Sequence, residues 1–293
     1  RSSSAAMTLS AAQIDRYREH GLLFPCPVLS PAEAAAFLGE LETYEKSSGE
    51  PIAGKWRYKS HLVFPWLNQL MRHPAILNLV RSLLGADLMV WTTHIYPKEA
   101  GDGRFISWHQ DSAHWGLDSN QVLSVWVALT DATRESGCMR MLPGSHHKGE
   151  VRHQDTWDPN NILTRGQTIE ESINEDETVW VELEAGQASI HHVDMFHAST
   201  PNVSPHRRVG VAIRYITPQA RQTRIDEDYA TLVSGEDRFG HFMPERVPTA
   251  TMDAEAMAFH ERIADLQGQI YLSNTDRAGL GGLKETDDRK PAG

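Results

Sequence analysis

Phe105-Ile-Ser-Trp-His-Gln-Asp111, followed at a distance by His197-Ala-Ser-Thr-Pro-Asn-Val-Ser-Pro-His-Arg-Arg208, decides the reading of the chain. Strand side chains alternate with period two, so a His-x-Asp pair on a strand is expected to present His109 and Asp111 on one face. Two imidazoles and one carboxylate can occupy one face of an octahedral divalent iron and leave the opposite face open. His197, 88 residues beyond His109, is the candidate third ligand, brought alongside on another strand. Beyond it, Arg208, Gly210, Ala212 and Arg214 share one parity of an alternating run, and Val209, Val211, Ile213 and Tyr215 share the other. An arginine beside small residues suits an inward pocket, because a guanidinium fork pairs with a carboxylate through two bonds. A surface ion pair is the competing reading of any single arginine.

His-x-Asp alone decides little, since the chain has three: His109-Gln110-Asp111, His153-Gln154-Asp155 and His192-Val193-Asp194. The second lies in a polar excursion with no strand to fix it. The third sits too close to His197 for one strand to supply a whole ligand set. His191 and His192 are read as packing or orienting residues, and His146 and His147 as part of a turn.

Around these stretches the pattern is mainly β. Strands are expected over Leu88–Tyr96, Phe105–Asp111, Val122–Leu129, Cys138–Leu142, Thr178–Leu183, Ala188–His192 and Val209–Ile216, separated by Gly- and Pro-containing turns. Many short strands so spaced predict a jelly-roll or sandwich core. Helices precede it. Ser10 with Gln13, and Ser30-Pro31 with Glu33, are capping signals for helices over Ser10–His20 and Ser30–Lys46, and Pro74 opens a helix to Leu84. We expect one domain over residues 7–293: a helical region to residue 85, a jelly roll over 86–218 and an extension with one helix, Asp253–Leu266. Gly149–Glu177 is long and polar, a pattern of lids or disorder. Arg1–Ala6 reads as an expression leftover before a native start at Met7.

The formal net charge of −11 argues against nucleic acid and anionic membrane as partners. No stretch is apolar for long enough to span a bilayer. Two distant cysteines, Cys26 and Cys138, exclude a disulfide framework and favour a reducing, cytoplasmic setting. The sequence leaves the oligomeric state open.

His109-Gln110-Asp111, the segment from Gly137-Cys138-Met139 to Pro143-Gly144-Ser145-His146, and His197 to Arg208 together resemble the phytanoyl-CoA dioxygenase family of Fe(II)- and 2-oxoglutarate-dependent oxygenases. The resemblance runs from about Leu9 to Pro218. It implies a double-stranded β-helix with helical N-terminal packing. It implies Fe(II) on His109, Asp111 and His197, and 2-oxoglutarate held by Arg208 and Ser199, with Trp126 lining that pocket. O2 is the second co-substrate, and succinate and CO2 are products. Because Asp111 is present, hydroxylation is favoured over halogenation. Thr92 and Tyr96 are further candidates for the co-substrate pocket. Lys59, His61, His94, His114 and Trp115 are candidates for the small-molecule substrate, with Arg57, Lys59 and His61 as a basic cluster suited to a phosphonate or zwitterion. The rival reading is a metal-binding cupin without a keto acid, either an isomerase or a small-ligand-binding barrel. A partner-binding jelly roll is a third.

Overall fold

Arg208–Ile216 is the strand on which the molecule is built: all nine residues are buried, and it hydrogen-bonds on both sides. A computed structural model describes residues 8–275; the residues read as a leader, and Met7, lie outside them, as does the end of the expected extension. In chain order the elements are α1 (Ala11–His20), β1 (Leu22–Pro27), α2 (Pro31–Ser48), α3 (Pro65–Leu70), α4 (Pro74–Leu84), β2 (Leu88–Lys98), β3 (Ile106–His109), α5 (Ser112–Trp115), β4 (Val122–Ala128), β5 (Met139–Met141), β6 (His153–Gln154), β7 (Thr168–Ile169), β8 (Val179–Val181), β9 (Gln187–His192), β10 (His197–Ser199), β11 (Arg208–Ile216), β12 (Tyr229–Ser234), β13 (Met243–Pro244) and α6 (Ala254–Tyr271). Both capping boxes form as expected, and α1 and α2 end on left-handed Gly21 and Gly49.

A seven-stranded sheet, in the order β1-β9-β4-β11-β2-β12-β13, faces a four-stranded sheet, β3-β10-β5-β8. This is the expected jelly roll with helices before it. The parity of β11 sorts its two faces. Val209, Val211, Ile213 and Tyr215 pack with Leu41, Leu67, Ile76 and Val80 of the helices in one apolar cluster. Ala212 packs instead with Trp126, Met141 and Val181 between the sheets. Burying the aliphatic row on the helices aims Arg208 and Arg214 at the interior, since successive strand side chains point to opposite faces.

The sheet does not respect the expected partition at residues 85 and 218. β1 forms one edge by pairing with β9. At the other end, β12 adds to β2 from a segment read as polar extension. Leu22–Val28 reads from sequence as an extended run broken by Pro25 and Pro27, and the mixed character of Tyr229–Ser234 hid β12. The helix expected to end at Leu266 runs on to Tyr271.

The expected basic cluster is a structural core. Lys59 Nζ donates to Glu245 Oε2 (2.8 Å), His61 Nε2 meets Glu245 Oε1 (2.8 Å), and Thr231 Oγ1 donates to the same oxygen (2.9 Å). All three charged side chains are fully buried. Lys59 and His61 are therefore withdrawn as substrate contacts: both are engaged by Glu245, and neither lines the cavities described below. Burial works against the Glu245 carboxylate, but Lys59 and His61 outweigh it and hold the pKa at about 2, against an ordinary 4.5. A depressed carboxylate contributes stability above about pH 4.5 and loses it as pH falls toward 2. Glu245→Gln leaves the buried Lys59 ammonium without its anion and is expected to cost roughly 3–5 kcal/mol. Urea unfolding at pH 7 measures this, and the gap to wild type should narrow below pH 4.

Candidate active site

His109 ends β3, His197 opens β10, and the two strands pair at those residues. The ring centroids lie 4.1 Å apart. Asp111 is not on the strand. The strand stops at His109, and Asp111 takes a helical conformation as the residue before α5. What brings it to the histidines is the turn at Gln110. That side chain is buried, donates to Gly149 O (2.7 Å) and Asp194 O (2.9 Å), and accepts from Val151 N (2.8 Å). The Gln110 backbone N–H donates to His153 Nε2 (2.9 Å). The middle residue of the motif thus pins the turn. The other two His-x-Asp pairs are structural: His153 props Gln110, Asp155 pairs with Arg165 (2.6 Å), and His192 caps the turn at Asp194.

One ligand atom from each of His109, Asp111 and His197 lies within 4.8 Å of the others. His109 Nδ1 meets Ser107 O (2.8 Å) and His197 Nδ1 meets Met195 O (2.9 Å). A carbonyl only accepts, so each Nδ1 carries the hydrogen and each Nε2 keeps a free lone pair facing the carboxylate. Asp111 Oδ1 lies 3.2 Å from His109 Nε2 and 3.5 Å from His197 Nε2. Its Oδ2 is turned the other way, to His191 Nε2 (3.4 Å) and Arg214 Nη1 (3.6 Å). Burial opposes ionisation of Asp111, but Arg214 and the contact from His191 outweigh it and hold the carboxyl well below its usual range. Burial also keeps His197 neutral, well below the ordinary imidazole value. Two imidazole nitrogens and one ionised oxygen, each oriented by an outer partner, are a donor set that fits a divalent iron.

Arg208 reaches the same interior. Its guanidinium donates to Gly137 O and to Tyr96 O (3.3 Å) and lies 5.2 Å from the Trp126 ring. It forms no ion pair among the described residues, and its Nε is buried without a partner. Burial lowers its pKa to about 10, so it stays charged at pH 7. Gly210 leaves no empty volume, contrary to the simplest reading of a small residue beside an arginine. A Cβ there would lie 1.9 Å from the Trp126 indole, so the glycine makes room for the ring under Arg208. Arg207 points the other way, to Glu45 (2.7 Å twice) and Glu99 (2.8 Å).

Two cavities meet at His109. The inner one, about 30 Å³, is lined by His109, His197, Ser199, Arg208, Trp126 and Tyr96 among others. The outer one, about 60 Å³, is lined by Tyr58, Thr92, His94, His114, Trp115 and Tyr271, with Asp111, Arg214 and Tyr96 at its floor. Thr92 was expected beside the co-substrate, but it lines the outer cavity only. His94 Nε2 and both ring nitrogens of His114 are buried without a hydrogen-bond partner. Burial, with Arg57 and Arg214 adding, holds His94 well below the usual imidazole range, and burial with His153 brings His114 to about 3. The excursion after Gly149 folds over this mouth. It carries the hairpin of β6 and β7 and supplies Ile162, Leu163, Thr164 and Gln167 to the wall. Tyr271 from α6 and Arg214 were not singled out from the sequence. Parity could have found Arg214; nothing local marks Tyr271.

A jelly roll with a converging His/Asp/His set beside a buried arginine that has no ion pair is the arrangement of an Fe(II)- and 2-oxoglutarate-dependent oxygenase. Residues 17–210 match the phytanoyl-CoA dioxygenase (PhyH) family, and the chain belongs to it. The structure is similar to the apo form of ThoJ, a non-heme monooxygenase, at 36% identity and a TM-score of 0.77 over 94% of this chain and 98% of that one. It shares its fold with CytC3 bound to Fe(II) and alpha-ketoglutarate, at 24% identity and a TM-score of 0.62 over 85% and 96% of the two chains. The ectoine dioxygenase of Bordetella parapertussis is 27% identical over 239 residues, 72% of this chain and 76% of that protein. The protein is an Fe(II)- and 2-oxoglutarate-dependent dioxygenase acting with O2. No described helix is long and apolar enough to cross a membrane.

Proposed function

We propose that the enzyme hydroxylates an aliphatic C–H of a compact polar or zwitterionic metabolite held in the outer cavity, releasing succinate and CO2. In this reading His109 Nε2, Asp111 Oδ1 and His197 Nε2 hold Fe(II), and Arg208 and Ser199 take the distal carboxylate of 2-oxoglutarate. The iron and keto acid supply the oxidising chemistry when bound. The chain's own residues orient and exclude. His191 and Arg214 hold Asp111 Oδ2 so that Oδ1 faces the histidines. Trp126 walls the guanidinium, and the excursion over the mouth keeps water out.

The observation that carries this reading is the uncompensated Arg208 guanidinium in a cavity shared with both imidazoles. An uncompensated buried charge is costly, and a carboxylate is what it lacks. A cupin without a keto acid has no use for it. On the substrate side, aromatic walls and neutral, unpartnered imidazoles suit a polar group on a compact molecule. A phosphonate loses the support that Lys59 and His61 would have lent it. A relative named for ectoine is in keeping with a small metabolite. Buried, free Cys26 and Cys138 suit a reducing, cytoplasmic setting.

Succinate release with Fe(II) and 2-oxoglutarate across a panel of zwitterionic and polar metabolites tests the substrate class. Stimulation by none of them, but by acyl thioesters, would overturn it. His114→Ala is expected to raise the KM of the responding substrate about tenfold or more, since a buried polar contact is lost. The KM for 2-oxoglutarate should stay within about twofold, because His114 does not line the inner cavity.

A further inference from the structure

Behind the inner cavity lies a second buried cation. Lys98 ends β2 directly opposite Arg208 in the sheet register, and its side chain is fully buried. Its Nζ donates to Ser199 Oγ (2.7 Å), Thr200 O (2.5 Å) and Gly137 O (3.3 Å). No carboxylate pairs with it among the described residues. Asp102, the acid nearby, is clamped by Arg104 through contacts of 2.8–3.1 Å. Burial, and Arg208 beside it, push the Lys98 ammonium below its usual range, but three acceptors around Nζ match the three hydrogens of the charged form. Arg208 and Lys98 are thus two cations sharing the carbonyl of Gly137, without an anion. Gly137 is a required glycine here: φ is +80°, and a Cβ would lie 2.4 Å from Thr200 O and 3.0 Å from Lys98 Nζ.

The consequence falls on Ser199. A hydroxyl has one hydrogen and two lone pairs. With Lys98 donating to the Ser199 oxygen, the hydroxyl hydrogen cannot point at Lys98, and it has no acceptor among the described hydrogen bonds. The cavity it lines with Arg208 is the direction left open. We infer that Lys98 is a positioning residue for the anionic co-substrate: by donating to Ser199 Oγ it makes that hydroxyl a donor into the cavity, beside the Arg208 guanidinium. The distal carboxylate then meets Arg208 and the Ser199 hydroxyl, with the Lys98 charge behind them. This rests on the assignment of that cavity to 2-oxoglutarate.

The test is anaerobic titration of the Fe(II) protein with 2-oxoglutarate and with 2-oxopentanoate, which keeps the keto acid and lacks the distal carboxylate. Lys98→Met should weaken 2-oxoglutarate about tenfold or more and leave 2-oxopentanoate and iron affinity unchanged. Ser199→Ala should do the same, and the double variant should be no worse than the weaker single, because both remove one hydroxyl donor. Unchanged 2-oxoglutarate affinity in Lys98→Met, or equal losses for both keto acids, overturns the inference. If Lys98→Met does not fold, Lys98→Leu takes its place: a selective loss of 2-oxoglutarate affinity supports the role, and wild-type affinity there or in Ser199→Ala overturns it. Arg208→Ala is the control. Should it also bind 2-oxoglutarate normally, the cavity assignment itself fails; should it alone be impaired, only the role of Lys98 does.

Discussion

Arg208→Ala should raise the apparent KM for 2-oxoglutarate by about 30-fold to several thousand-fold, with iron affinity nearly unchanged. Removing one partner of a desolvated, hydrogen-bonded charge pair costs roughly 2–5 kcal/mol, and each 1.4 kcal/mol is about tenfold. Arg208 meets the conditions for a value within that range: it is buried, and its Nε has no other partner. Arg208→Lys should recover only part of the loss, because an ammonium keeps the charge and loses the planar fork. Arg207→Ala is the contrasting variant. It cuts ion pairs to Glu45 and Glu99 on the helical side of the sheet, and partly exposed pairs of this kind are worth about 1 kcal/mol or less. Its KM for 2-oxoglutarate should match wild type. Initial rates against 2-oxoglutarate decide it: a damaged Arg207→Ala with a silent Arg208→Ala would mean that β11 presents its other face to the interior.

The second large effect is on metal. Asp111→Ala or His197→Ala should weaken Fe(II) by more than about 100-fold, beyond the 10–100-fold typical of losing an outer partner, and abolish turnover. His191→Ala removes only a contact to Asp111 Oδ2 and is expected to fall inside that 10–100-fold range. The fold should survive each change, since the sheets are held by aliphatic packing on the helices rather than by the ligands. Equilibrium iron competition against a chelator, with thermal unfolding of the metal-free variants as control, separates the two effects. Wild-type iron affinity in His197→Ala would remove it from the ligand set.

The sequence carried the jelly roll because its inner strands are buried on both faces and read as apolar runs. The site was legible in part for the same reason: β11 alternates aliphatic and polar residues, so its parity alone aims Arg208 and Arg214 inward. What was not legible depends on partners far along the chain. Lys59 and His61 look like a binding cluster until Glu245 arrives from beyond β12 to neutralise them. Asp111 was expected on a strand, but Gln110 makes a turn whose four hydrogen-bond partners come from Gly149, Val151, His153 and Asp194. The small residue at Gly210 reads as leaving room for a pocket, but the Trp126 ring fills that room. β1 reads only as a short extended run broken by Pro25 and Pro27, and β12 carries too mixed a pattern to stand out from the polar residues around it.

The central claim is that one co-substrate bridges the iron and Arg208. Titrating 2-oxoglutarate calorimetrically into the anaerobic protein, with and without Fe(II), tests it most directly. The account predicts one site per chain, with affinity at least about tenfold higher when Fe(II) is present, because chelation and the guanidinium then act on the same molecule. Binding of equal strength with and without metal, or binding that survives intact in both His197→Ala and Arg208→Ala, would contradict it.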